Sequence, residues 1–250
     1  MKALHPRALI PWLLACVPAF ASLGCMQAPG KPGPQPEVGR PDQLLDLATL
    51  YQENCAACHG EHGKNGPAIS LANPVYLAFA GTQNIERVTQ QGVPGTAMPP
   101  FAKESGGTLT DRQIAVLASG MVSAWGDRTA IAATTPPAYA GSAAGNPLQG
   151  EKTFALFCAR CHGVDGTGTR LANGIVTGSL IDPTYLALVS DQGLRSIVVA
   201  GQTDAGAHDW RSYITASGAR PISDGEIADV VAWLASHRIA APGQVYRDQP

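Results

Sequence analysis

Two stretches far apart in the chain place apolar residues at helical spacing behind the same polar signal. Thr110-x-x-Gln113 leads into Ile114, Val116, Leu117 and Met121, and Ser223-x-x-Glu226 leads into Ile227, Val230, Val231 and Leu234. Each is a capping box followed by one apolar stripe, which predicts an amphipathic helix entered at the Thr or the Ser. Shorter helical patterns precede each: one starting near Asp42 or Leu148, one around Tyr76 or Tyr185, and one over Ile85–Gln91 or Leu194–Ala200. No alternating run is long enough for a sheet, so the expected class is all-α.

The chain is one unit written twice. Tyr51-x3-Cys55-Ala56-Ala57-Cys58-His59-Gly60 returns as Phe154-x3-Cys158-Ala159-Arg160-Cys161-His162-Gly163, 103 residues on (55 to 158). Asn73-Pro74-Val75-Tyr76-Leu77-Ala78 returns as Asp182-Pro183-Thr184-Tyr185-Leu186-Ala187, 109 residues on (73 to 182), and Gly92 and Gly201 keep that later offset. Internal repetition on this scale predicts two copies of one small domain. Residues 126–147 between them are rich in Ala, Gly, Thr and Pro and carry no helical stripe, which is linker composition.

Only 6% of the 250 residues are aromatic, and 28 are Gly and 20 Pro. Units of this size and composition have a thin core, a deficit that a large apolar prosthetic group would make good. The formal charge is −2 with no basic run, which argues against a nucleic-acid partner.

Lys2 and Arg7 precede an uncharged run, Ala8–Gly24, that reads as an export signal. The run is short for a membrane span and contains Pro11 and Pro18. Ser22-Leu23-Gly24-Cys25 resembles a bacterial lipoprotein box with Ser where Leu is usual, and Cys25 is the expected lipidated residue. Ala19-Phe20-Ala21 is the alternative cleavage signal. The expected organisation is a signal over 1–24, a lipid-anchored Pro/Gly tether over 25–41, domains over 42–125 and 148–240 joined by the linker, and a tail over 241–250.

The spacing Cys-x-x-Cys-His attaches a c-type haem. Cysteines at i and i+3 share one face of a helical turn and can both form thioethers, while the following His turns toward the iron. A disulfide or half a zinc site is the competing reading, but the four cysteines that follow the expected signal and lipidation site, Cys55, Cys58, Cys158 and Cys161, are all used by the two motifs, and no additional Cys or paired His remains there to complete tetrads. Two covalently bound haem c groups are expected, with His59 and His162 as proximal ligands. In Gly95-Thr96-Ala97-Met98-Pro99-Pro100-Phe101, Met98 is the expected second ligand of the first iron, presented by a Pro-stiffened loop. Met121, on the helical stripe, is expected in the core.

These motifs resemble class I c-type cytochromes in tandem over about Asp42 to Arg238. With Asp209-Trp210-Arg211 and Val230-Val231-Ala232-Trp233-Leu234-Ala235, the chain is similar to bacterial dihaem cytochromes c that accompany quinol-oxidising cytochrome b complexes or terminal oxidases. The resemblance implies two tandem class I cytochrome c domains and single-electron transfer without substrate chemistry. It also implies redox-protein partners, namely a cytochrome b complex, a terminal oxidase or another periplasmic acceptor, on the extracytoplasmic side of a membrane. A backbone carbonyl near His59, brought by Gly66 and Pro67, is implied as well.

The second copy departs from the first, because no Met follows Met121. Alignment on Gly201 sets Ala207 opposite Met98. One inserted residue would bring His208 to the iron, and His208 is the expected sixth ligand on that condition; without the insertion the position is open to water or a small ligand. Gln202, Asp204 and Tyr213 are weaker substitutes, and His62 and His237 are expected to be exposed. Tyr76 and Tyr185 are expected in the core, with Trp210 and Arg211 either near the second haem rim or on the surface. The competing functions are a dihaem peroxidase-like enzyme and a haem gas sensor, both using the second haem.

Overall fold

In the computed structural model, residues 39–127, 129–131, 134–141, 144–215 and 218–240 are described. The expected signal, Cys25, almost all of the tether and the C-terminal tail lie outside them. The chain divides into two units at Arg40, and both repeats fall in the second.

The helical predictions hold in both copies. In the first, α1 (Leu47–Asn54), α2 (Ala56–His59), α3 (Pro74–Gln91) and α4 (Asp111–Trp125) follow one another. In the second come α5 (Pro147–Phe157), α6 (Ala159–His162), α7 (Pro183–Leu188), α8 (Asp191–Ala200) and α9 (Asp224–Ala235). The two helices expected around Tyr76 and over Ile85–Gln91 run together as α3, broken at Gly81, whose φ of 68° admits no helix. Both capping boxes form as read, at Thr110/Gln113 and Ser223/Glu226.

One element departs from the all-helical pattern. An antiparallel hairpin, β1 (Tyr213–Thr215) with β2 (Gly218–Arg220), stands between the loop after α8 and the start of α9. The β-branched Ile214-Thr215 pair beside Gly218 was the available signal, but the run is too short to register as alternation.

In each copy the first helix crosses the last helix closely, and the crossing is built with a glycine on opposite partners. In the first copy Leu47 of α1 faces Gly120 of α4, where an added Cβ would lie 2.9 Å from Leu47 Cδ1. In the second, Gly150 stands at the position of Leu47 and Trp233 at that of Gly120. A Cβ on Gly150 would lie 2.0 Å from the Asp229 carbonyl oxygen and 2.7 Å from Trp233 Cβ. Aromatic pairs seal both crossings, Tyr51 with Trp125 at 5.0 Å and Phe154 with Trp233 at 4.4 Å.

The linker packs onto the domains. Tyr139 lies against Phe79 at 5.3 Å. Its carbonyl and that of Ala138 accept from Arg195, which is 4% exposed and ion-paired to Asp224 at the start of α9. A separate contact packs α3 of the first copy against α8 of the second. Linker composition alone would suggest largely independent repeats, but groups from both copies and the linker meet here.

Candidate haem-binding site

Each Cys-x-x-Cys-His sequence folds as a tight helical turn continuing the helix before it. Cys55 N donates to Tyr51 O and His59 N to Cys55 O, and the same bonds recur from Cys158 to Phe154 and from His162 to Cys158. Gly60 and Gly163 end the turns at φ of 78° and 79°. At Gly60 a Cβ would sit 1.7 Å from Lys64 O, so only glycine lets the following loop fold back. The first Cys of each pair is half-buried and the second exposed, and no disulfide joins any of the four. Burial, with the partner thiol second, pushes Cys55 up to about 11 and Cys158 up to about 12. Before haem attachment both therefore keep their S–H at neutral pH.

His59 is buried, and its Nδ1 lies 2.8 Å from the Ile69 carbonyl oxygen. A carbonyl only accepts, so Nδ1 carries the proton and Nε2 is left with a bare lone pair, the tautomer a metal takes. The expected carbonyl is present, three residues after Gly66 rather than at Gly66-Pro67 itself. Gly66 contributes through fit, since a Cβ there would meet Cys58 O at 2.4 Å. His162 differs: its Nδ1 is buried with no hydrogen-bond partner. For both imidazoles burial holds the pKa below the ordinary His value, against the Ile69 hydrogen bond at His59, which favours the neutral, ligating form.

Met98 is half-buried in the loop between α3 and α4. Its N donates to Thr96 Oγ1 at 3.2 Å and its carbonyl accepts from Val93 N at 2.9 Å. The loop closes over Gly92, where a Cβ would meet Pro100 N at 2.5 Å, Pro99 C at 2.6 Å and Met98 O at 2.7 Å. Met121 is buried in α4, as expected of a core residue.

The equivalent loop closes over Gly201 in the same register. A Cβ there would meet His208 C and O at 2.6 Å and Ala207 O at 2.7 Å. Ala207 thus takes the place of Met98, and His208 takes that of Pro99 and is exposed. The one-residue insertion that ligation by His208 calls for is not present. Extra residues enter later, in the hairpin. Of the weaker substitutes, Asp204 accepts from Asn65 N at 3.1 Å and Tyr213 donates to Val198 O at 3.2 Å.

Residues read as bordering the sites have other partners. Arg211 pairs with Asp209 at 2.6 Å, donates to Ala130 O of the linker at 2.7 Å and lies 4.9 Å over Trp210. Although burial opposes ionisation of Asp209, Arg211 holds its pKa below the ordinary carboxylate value. Tyr76 is buried, as expected of a core residue, and Tyr185 is half-buried. His62 is exposed, whereas His237 is half-buried with Nδ1 2.9 Å from Trp233 O. Sequence reasoning missed Ile69, whose contribution is a carbonyl that every residue carries.

The donor set fits haem c. Cysteines with no disulfide partner stand in pairs one turn apart, His59 offers an Nε2 with a bare lone pair, and His162 ends the second turn at the same position. Helical repeats built on two such turns define a tandem class I c-type cytochrome, and the chain belongs to that class, with two covalently bound haem c groups. Residues 42–119 match the family model for cytochrome c oxidase, cbb3-type, subunit III, and residues 148–238 match that for cytochrome c.

Curated relatives agree. The chain is 29% identical over 155 residues to the cbb3-type cytochrome c oxidase subunit CcoP of Azospirillum sp. (strain B510), covering 56% of this chain and 47% of that protein. It is 30% identical over 130 residues to subunit FixP of Rhizobium etli, covering 48% and 39%. The chain therefore matches less than half the length of these relatives. A solved Kuenenia stuttgartiensis reducing HAO-like protein complex aligns with a TM-score of 0.43 and 18% identity over 77% of this chain and 95% of that one, a likeness too remote to add to the assignment. Among the described residues no helix is long and apolar enough to cross a membrane.

Proposed function

We propose that Cys55 and Cys58 hold the first haem and Cys158 and Cys161 the second, with His59 and His162 as proximal ligands and Met98 as the sixth ligand of the first iron. Haem c bound in this way supplies a one-electron Fe(III)/Fe(II) couple. The chain's own part is to fix the imidazole tautomer through Ile69 and to present a soft thioether sulfur that favours the ferrous state. The protein relays single electrons between a quinol-oxidising complex and a downstream acceptor outside the cytoplasm, and its likeness to cbb3-type oxidase subunits supports a terminal oxidase as that acceptor. A lipid on Cys25 tethers it, raising its effective concentration beside a membrane complex. The observation that carries this reading is the repeated helical turn that ends on His59 in the first copy and on His162 in the second.

Denatured protein should keep two haems c per polypeptide by pyridine haemochrome, and an intact mass with one or none refutes the reading. The ferric protein should show the red charge-transfer band of Met sulfur on iron. Met98→Ala should remove that band and lower one of the two midpoints. Reduced protein should be re-oxidised by oxidase-containing membranes under oxygen, and Cys25→Ser should leave it in the soluble fraction. No re-oxidation, or an unchanged membrane fraction, overturns the corresponding part.

A further inference from the structure

The two copies differ at one helix cap. Asp182 caps α7 in the conventional way, its Oδ1 accepting from Thr184 N at 2.9 Å and Tyr185 N at 3.0 Å, and the residue is exposed. At the same position in the first copy, Asn73 caps α3 equally well, accepting from Val75 N at 2.9 Å and Tyr76 N at 3.2 Å. Asp and Asn serve about equally as N-caps, so capping does not explain the choice. The amide end does. Asn73 is 2% exposed, and its Nδ2 donates to Ala200 O at 3.0 Å and Gly201 O at 3.2 Å in the second copy.

Those two carbonyls end α8, where the helix has no partner of its own to offer them. Gly201 is also the base of the 202–208 loop, which folds back on it in the register that places Met98 in the first copy. A second bond reaches the same loop, from Asn65 N to Asp204 Oδ2 at 3.1 Å. Both contacts originate in the segment of the first copy that also holds Ile69, the residue orienting His59.

We propose that Asn73 is a positioning residue for the second haem: its amide fastens the ligand-side loop of the second repeat to the proximal segment of the first, so that the first domain sets the environment of the second iron. The inference rests on the dihaem reading above. A carboxylate at position 73 would keep the cap but turn an oxygen toward two carbonyl oxygens, which explains why the copies differ.

The test uses the full-length holoprotein and three variants: Asn73→Asp, which keeps the cap and removes the donor; Asp204→Ala, which cuts the exposed second bond without touching the core; and Asp182→Asn, the matching control. Haem stoichiometry is checked first by pyridine haemochrome, so that failure of the dihaem reading is seen separately. Midpoint potentials of both haems are then measured by redox titration, with the Met band marking the first. Asn73→Asp should keep two haems and the Met band while changing the reduction constant of the second haem by up to about fivefold, the factor that the whole of one hydrogen bond is worth. Asp204→Ala should move the same midpoint by less, and Asp182→Asn should leave both in place. If Asn73→Asp fails to accumulate, Asp204→Ala alone decides. A second midpoint unchanged in every variant obtained overturns the proposal, as does a shift of equal size in both haems.

Discussion

Replacing Gly150 by Ala adds one methyl group at the tightest helix crossing of the second repeat. The new Cβ would stand 2.0 Å from Asp229 O and 2.7 Å from Trp233 Cβ. Ordinary carbon contacts start near 3.5 Å, so α5 and α9 must part by more than an ångström. Neither obstacle is a flexible tip, because one is helix backbone and the other is bonded to it. Overpacking of this kind costs about 1–3 kcal/mol, against about 1 kcal/mol gained by Ala over Gly in a helix interior. With a backbone obstacle the upper end applies, leaving a net loss of about 2 kcal/mol. At the corresponding crossing, Gly120→Ala meets Leu47 side-chain carbons at 2.9 Å. Leu47 can change rotamer, so the propensity gain roughly cancels the clash and the net change should stay within about 1 kcal/mol. Thermal unfolding of the holoprotein, followed separately at the two haems, distinguishes these. Gly150→Ala should lower the midpoint by about 4–8 °C and loosen the second haem, since α5 runs directly into Cys158. Equal shifts for the two glycine variants, or a Gly150→Ala protein as stable as the parent, would refute the crossing argument.

Two further outcomes follow from the site and the caps. His208→Ala should leave the ferric spectrum of the second haem unchanged, because His208 stands exposed in Pro99's place; loss of a low-spin signal would show that the loop shifts on haem attachment and that His208 ligates. Arg220, then the Ser223 cap, hold Glu226 down from the ordinary 4.5 to about 2 against a smaller burial effect. A carboxyl whose folded pKa is depressed stabilises above its unfolded value and loses that contribution as pH falls toward the folded one. The urea-midpoint advantage of the parent over Glu226→Gln should therefore be full above 4.5 and fade toward pH 2. Because Glu226 and its partner Arg220 are both partly open to solvent, the effect should be modest and reduced by salt, and a difference independent of pH would refute it.

What was legible in the chain by itself was whatever depends on neighbours a few residues apart. The Cys-x-x-Cys-His turns, the capping boxes at Thr110 and Ser223, the apolar stripes behind them and the offset of the two copies are all local patterns, fixed by helical periodicity and hydrogen bonds over three or four residues. The Met98 loop and the missing methionine of the second copy were equally readable. Tertiary structure decided what depends on groups that carry no identity in the sequence or that meet across long separations. Ile69 acts through its carbonyl, as Ala200 and Gly201 do through theirs. Whether His208 faces inward turned on where four extra residues enter the second copy, and they enter in the segment that carries β1 and β2 rather than lengthening the 202–208 loop. The opposed placement of Gly120 and Gly150, and the change from Asp182 to Asn73, look like ordinary substitutions until the opposite helix is in view. Each is set by packing between elements distant in the chain, where close contact leaves no room for a methyl group or requires one more donor.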